Sequence, residues 1–302
     1  MAINYEIKEY LNFGRCVCID NGAMEMYVTI DIGPRIIKLN LKGKNNMMFN
    51  DVDRKSFKDN ECLKEMFGKD RTWYIYGGHR FWVSPESLPV TYYPDSDPVD
   101  YKVNGNVFTF TPPVQIYTKW QEVLEITVDE NKAAAKVRHI LKNCAEKEQT
   151  GAIWALSVTA AGGKAVISQA KEDTGLLPNR TLMLWPYNNM TDKRFYMDDN
   201  YYCVSHDKNA TVAFKIGTNN TKGTHICVNN ETVFKKSCEY IEGASYPDNG
   251  CCTEIYTDAL ILEVESLSPL YTLKPGETCE HVENWELYEE KSTKLEDVVK
   301  YL

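Results

Sequence analysis

The sequence predicts an all-β protein: large antiparallel sheets with few short helices. Three observations carry this expectation. Alternation of apolar and polar residues with period two dominates the chain. In residues 24–32, Met24, Met26, Val28, Ile30 and Ile32 alternate with Glu25, Tyr27, Thr29 and Asp31, so one set faces a core and the other faces water. Turn signals recur between such stretches, at Asn104-Gly105, Gly162-Gly163, Asp248-Asn249-Gly250 and Lys274-Pro275-Gly276. Helical periodicity is scarce.

Taken in order, Cys16 and Cys18 lie two apart in a strand and point the same way, and residues 24–32 form the first clear strand. A helix is expected within residues 54–67, with Phe57, Cys62, Leu63 and Phe67 apolar. The diglycine Gly77-Gly78 starts a turn. Strands follow at residues 107–110 and 116–120, and residues 124–128 and 133–141 flank the polar loop Asp129-Glu130-Asn131-Lys132 as a hairpin. Further strands are expected at residues 153–159, 182–184, 211–216, 225–228, 259–266 and 281–287. The C-terminal stretch, about 293–302, reads as an amphipathic helix: Thr293 with Glu296 makes a capping box, and Leu295, Val298, Val299 and Leu302 make the apolar stripe. With no linker, composition shift or repeat, one domain over residues 1–302 is expected. So many strands need two sheets packed face to face.

The chain has 302 residues, 43% hydrophobic and 25% charged, enough for a sizeable core. A net charge of −9 and the lack of a basic stripe argue against nucleic acid or anionic membranes as partners. No signal peptide and no bilayer-length apolar run are evident, so a cytoplasmic address is expected. The ten cysteines lack both paired zinc spacing and a compact disulfide pattern, and read as reduced, mostly buried thiols. Triplets such as Asn189-Met190-Thr191 are then chance matches to a glycosylation signal.

Two segments hold most of the chemistry. The first runs through Gly77-Gly78-His79-Arg80-Phe81-Trp82 to Pro85-Glu86. It combines an imidazole that titrates near neutral pH, a guanidinium fork, an indole on which a sugar can stack, and a carboxylate. Its bland alternative is a surface turn with an Arg80–Glu86 ion pair. In the second, Glu263 and Glu265 project from one side of a strand while Leu262 and Val264 project from the other, with their Cα atoms roughly 7 Å apart. If that side lines a cavity, burial and like charge raise at least one of the two carboxyl pKa values towards that of a general base. The alternative is a solvated face, of the kind Glu283 and Glu286 suggest in a later strand.

His139 shares an apolar face with Val137 and Leu141 and reads as a core residue; His206 sits in a polar loop, and His225 and His281 begin strands. Trp185, Tyr187 and Asp192 form a second aromatic and polar cluster, whose alternative is a loop fastened by Asp192 and Arg194. Gly33-Pro34-Arg35 places an arginine at a bend, and Lys215 is a strand lysine of undetermined facing. No zinc-hydrolase histidine pair, phosphate loop or dinucleotide fingerprint is present.

The order of these motifs resembles the galactose mutarotase-like superfamily, the aldose 1-epimerases and their relatives. The resemblance rests on Gly77–Glu86, on Glu263-Val264-Glu265-Ser266-Leu267-Ser268-Pro269 with Leu273-Lys274-Pro275-Gly276-Glu277 and Trp285 after it, on Trp185–Arg194 and on Gly33-Pro34-Arg35. It implies a β-supersandwich whose concave face holds a mono- or oligosaccharide. It also implies a mechanism in which a late-strand glutamate takes the anomeric proton and a histidine protonates the ring oxygen, so that the ring opens and recloses. Glu265 matches that glutamate best and Glu263 is the alternative. The strand at 153–159, where the family keeps its histidine, has none, which leaves His79 as the acid from elsewhere in the cleft. By the same resemblance Arg80, Arg35 and Glu86 bind hydroxyls, Trp82 and Trp185 stack on the sugar, and Asp192 accepts from it. Proton transfer with bond rotation requires neither cofactor nor metal. The missing histidine equally favours a non-catalytic carbohydrate-binding protein on this scaffold. A glycoside-processing enzyme using Glu263 and Glu265 fits poorly, because carboxylates on one strand cannot attack from opposite sides.

Overall fold

The computed structural model describes residues 3–69 and 71–302. Period-two alternation becomes two large antiparallel sheets packed face to face. The centre of the first sheet runs, strand by strand, through Ile36–Leu41, Gly78–Ser84, Gln149–Thr159, Leu262–Leu267, Thr253–Thr257 and Phe214–Thr218 to Leu182–Leu184 at its edge. The second sheet has Thr224–Asn229, Thr232–Cys238, Thr278–Glu289, Ala134–Asn143, Trp120–Val128 and Val107–Thr111 as consecutive neighbours. The expected hairpin forms, with Val128 opposite Ala135.

The main core lies between the sheets. Met24, Met26 and Val28 from one side meet Leu124, Ile126, Val137 and Trp285 from the other. A second apolar cluster covers the opposite face of the first sheet, where Trp82, Trp154, Leu156 and Val158 pack under Leu63, Phe67 and Trp73. Both faces of the central strands are therefore buried in part, which gives them near-continuous apolar sequences.

Several elements differ from expectation. Residues 54–67 split into a short strand, Phe57–Lys58, and a helix, Glu61–Phe67, because Asn60 caps the helix by accepting from the Leu63 N–H at 3.1 Å. Residues 116–119 form a turn before the strand that starts at Trp120. The C-terminal helix is Leu295–Val298 continued by a 3-10 turn, Val299–Tyr301, with Lys294 at its N-cap, so Thr293 does not cap it. Its stripe packs on the outer face of the second sheet through Val298. All ten cysteines are unpaired and most are buried.

The diglycine starts a central strand rather than a surface turn. Gly77 and Gly78 both have positive φ, and a Cβ on Gly78 would stand 2.5 Å from the Ile36 carbonyl oxygen. The glycines thus let two strands approach closely at the crossing of Ile36 and His79. Gly78→Ala is expected to cost at least about 2 kcal/mol, from left-handed backbone strain plus this clash. A urea midpoint equal to that of the wild type would contradict the assignment.

Candidate functional site

Because Gly78–Ser84 is a strand, its successive side chains point to opposite faces. Arg80 and Trp82 look out over the second apolar cluster, whereas His79 and Phe81 look into the sandwich. Strand register then assembles the outer face. Trp154 lies opposite Trp82, Glu254 opposite Glu265, Tyr256 opposite Glu263, and Lys215 opposite Tyr256. A cleft of about 580 Å³ opens there. Its walls include Trp73, Trp82, Trp154, Trp185 and Tyr187, and its polar lining includes Arg80, Lys215, Glu263 and Glu86.

The wall at Trp185 is pinned by Asn188, whose side chain donates to the Lys215 carbonyl at 2.6 Å and accepts from the Lys215 N–H at 2.9 Å. Gly217, two residues along, leaves room for the Trp185 ring, which lies 3.3 Å from where a Cβ would stand. Glu86, at the mouth, accepts a hydrogen bond from the Tyr92 hydroxyl.

The floor carries buried charge. Lys215 Nζ lies 2.7 Å from Glu254 Oε2 in an ion pair and donates to Glu265 Oε2 at 3.2 Å. Its ammonium sits between the Trp154 and Trp185 rings, 4.5 and 4.7 Å from their centroids. Burial opposes that charge, but Glu265 and Glu254 outweigh burial and hold the Lys215 pKa above its usual value. Glu265 also accepts from Trp154 Nε1 at 2.6 Å and is completely buried, one layer beneath the cleft surface. Glu263 does line the cleft. Burial, reinforced by Glu265, pushes its pKa up to about 8 against the pull of Arg80 and Lys215. Burial also raises Glu254 well above the usual carboxyl range.

Of the residues expected at the site, Arg80, Trp82, Glu86, Trp185 and Glu263 line this cleft, with Glu265 under its floor. Three others stand elsewhere. His79 is fully buried on the opposite face, so it cannot share a ligand with Arg80. Arg35 is fully buried, paired to Asp95 and set against the Tyr76 ring. Asp192 is held at 2.7 Å by Arg194, which makes it a loop fastener. Glu254 and Trp154 escaped the sequence reading, and Lys215 was left without a facing. For Lys215 and Glu254 the signal was alternation within residues 214–217 and 253–257, whereas Trp154 lies in a continuously buried strand, and only the register between distant strands brings the three together.

The histidines have a different place. His79, His139, His225 and His281 all lie buried between the sheets. His139 Nδ1 lies 3.0 Å from the His281 carbonyl, which can only accept, so Nδ1 carries the proton. Neutral His139 then accepts at Nε2 from His79 Nε2, 2.7 Å away, and His79 Nδ1 accepts from the Ser157 hydroxyl at 2.8 Å. Lys236 Nζ donates to Ser157 Oγ and lies 2.7 Å from Glu283 Oε1. Glu283, expected on a wet face, is therefore a buried counter-ion; it also accepts from Ser266 and Trp285. His79, His139 and Glu283 bring possible metal ligands within 4.8 Å of one another. Two nitrogens on one tetrahedral zinc stand roughly 3.3 Å apart, so the 2.7 Å contact is better matched to the hydrogen-bond chain.

These groups set an expected stability profile. Burial lowers His225 and His281 to about 3, and lowers His79 and His139 as well. The unfolded chain takes up those protons near pH 6.5 and the folded chain does not, so stability is lost as pH falls, by about 1.4 kcal/mol per unit for each histidine. Glu263 and the half-buried Glu122, both at about 8, act oppositely: their contribution is full below about 4.5 and is lost as pH rises to 8. Between about pH 4.5 and 6.5 the four histidines outweigh the carboxyls, so urea midpoints are expected to be highest near pH 6.5 and to fall on both sides. A midpoint that still rises from pH 6.5 to 8 would contradict this.

No sequence-family profile matches the chain, and no curated protein is similar to it in sequence. Solved structures do share its fold. A TPR-domain containing protein from Parabacteroides distasonis is 12% identical with a TM-score of 0.62, covering 94% of this chain and 48% of that one, so the chain spans about half its length. A galactose mutarotase-like protein from Lactobacillus casei is 11% identical with a TM-score of 0.54, covering 90% of this chain and 100% of that one. An aldose 1-epimerase candidate from Klebsiella pneumoniae is 9% identical with a TM-score of 0.58, covering 100% of this chain and 88% of that one. The chain has the galactose mutarotase-like fold.

Proposed function

We propose that the cleft binds a saccharide and interconverts its anomers, with Glu263 as the residue that moves the protons. The observation that carries this reading is an ionisable carboxyl with a pKa near 8 in a cleft walled by four tryptophans. Aromatic faces suit the C–H faces of a pyranose, and the names of two structural neighbours point to the same ligand class.

Glu263 carries its proton at neutral pH. A carboxylic acid presents a donor and an acceptor on adjacent oxygens, and a hemiacetal presents its ring oxygen and anomeric hydroxyl on one carbon. The Glu263 O–H protonates the ring oxygen while its carbonyl oxygen takes the anomeric proton, which breaks the C1–O5 bond and leaves an aldehyde. Rotation about C1–C2 and the reverse transfer close the ring as the other anomer, and the carboxyl returns to its starting protonation. Glu265 is a positioning residue: it anchors Lys215 and Trp154 and raises the Glu263 pKa. This chemistry needs no imidazole in the cleft.

Polarimetry with freshly dissolved α-glucose and α-galactose tests the proposal: the protein is expected to speed mutarotation well beyond the buffer rate. A second reading, a non-catalytic saccharide-binding protein, is favoured by the absence of any histidine from the cleft lining. Calorimetric binding of a sugar whose anomers exchange no faster than in buffer would select it.

A further inference from the structure

Arg80 stands apart from the chain's other arginines. Arg15, Arg35, Arg71, Arg138 and Arg194 are ion-paired, and Arg54 and Arg180 donate to main-chain carbonyls. Arg80 is only 3% exposed, and its Nε and Nη1 have no hydrogen-bond partner in the protein. Its guanidinium lies against two indoles, 4.1 Å from the Trp82 centroid and 5.2 Å from that of Trp73. A buried donor left unpaired costs about 1–3 kcal/mol, more when charged, so a fork this desolvated is poised for an acceptor.

The nearby carboxyl groups do not supply one. Asp95 is taken by Arg35 at 2.5 Å, and Glu122 accepts from Gln115 at 3.0 Å. Glu263 shares the cleft and feels the Arg80 charge without reaching ion-pair distance of it. The other cations lining the cleft differ: Lys215 has two carboxylates, and Lys55 is 2.7 Å from Asp53. Lys58 is exposed at the mouth, over the Tyr92 ring. One planar, unpaired, deeply buried fork matches a planar monoanion, which it can grip through two parallel N–H···O bonds. A phosphate dianion calls for more unpaired cations than the floor offers.

We propose that the natural ligand of the cleft is a sugar acid, a saccharide whose carboxylate is held by the Arg80 guanidinium. This rests on the carbohydrate reading above and adds the ligand's charge. The carboxylate bridges Nη1 and Nη2 at the end of the fork, so that Nη1 gains the partner it lacks, and the pyranose ring lies against the neighbouring indoles.

Calorimetry on the full chain tests it, using glucuronate and galacturonate, the corresponding uronamides, the parent aldoses and glucose 6-phosphate. The wild-type protein is expected to bind a uronate at least about tenfold more tightly than its uronamide, which has the same shape without the charge. In Arg80→Gln that ratio is expected to fall to within about twofold, with circular dichroism confirming that the variant folds. Equal affinity of the wild type for acid and amide, an unchanged ratio in the variant, or glucose 6-phosphate binding more tightly than either uronate would each overturn the proposal. Aldoses bound without preference for the acid would overturn it and leave the carbohydrate reading standing. Failure of every sugar to bind would overturn both.

Discussion

Replacing Glu263 by glutamine is expected to slow anomer interconversion by at least about a hundredfold, the lower range for loss of a positioned general acid–base group. Glutamine keeps the shape and removes the exchangeable carboxyl proton. The wild-type rate should be level through neutral pH and fall above about 8, as Glu263 loses the proton it must donate. In Glu265→Gln that fall should move to lower pH, because the charge that helps raise the Glu263 pKa is gone; a residue that merely supports the fold would lower the rate without moving the midpoint. Stopped polarimetry across pH 5 to 10, a range spanning about two units or more on each side of 8, reads both effects. A wild-type rate that rises above pH 8 would mean that the carboxylate, acting as a simple base, is the active form.

The second large effect concerns stability. Lys236 and Glu283 are both fully buried, 2.7 Å apart, at the centre of the hydrogen-bonded network between the sheets. Lys236→Met leaves the Glu283 carboxylate without its cation and is expected to cost about 3–5 kcal/mol, as does Glu283→Gln in the opposite sense. The double variant should be more stable than the sum of the single losses implies, since neither charge is then stranded. Urea denaturation of the three variants measures this. Strictly additive losses would show that the two side chains are not acting as a pair.

The same alternation that predicted the strands also put Glu263 and Glu265 on one face, and that face is the cleft side. Arg80 and Trp82 share the cleft face because they lie two apart in the strand, a pairing the sequence analysis did not draw. His79 was misplaced because the diglycine read as a turn. Once residues 78–84 are a strand, His79 and Arg80 must point to opposite faces. The strand was hard to recognise because both of its faces are buried, so Phe81 and Trp82 are apolar in succession. Glu283 and Lys215 show a second limit. Glu283 in an alternating strand reads as wet and Lys215 has no legible facing; only the partner brought alongside by sheet pairing, Lys236 in one case and Glu254 in the other, makes burial tolerable. That pairing joins residues dozens of positions apart, and nothing local in the sequence encodes it.

The chain's six tryptophans give the most direct test of where a sugar binds. Trp73, Trp82, Trp154 and Trp185 line the cleft, while Trp285 lies in the core between the sheets, beside His79, and Trp120 belongs to another core cluster. Titrating isotope-labelled protein with galacturonate while following the indole N–H resonances places the ligand on one side of the first sheet or the other. The account predicts saturable shifts of the Trp82, Trp154 and Trp185 signals with Trp285 unmoved. Shifts confined to Trp285 would place the ligand among the interior histidines and contradict it.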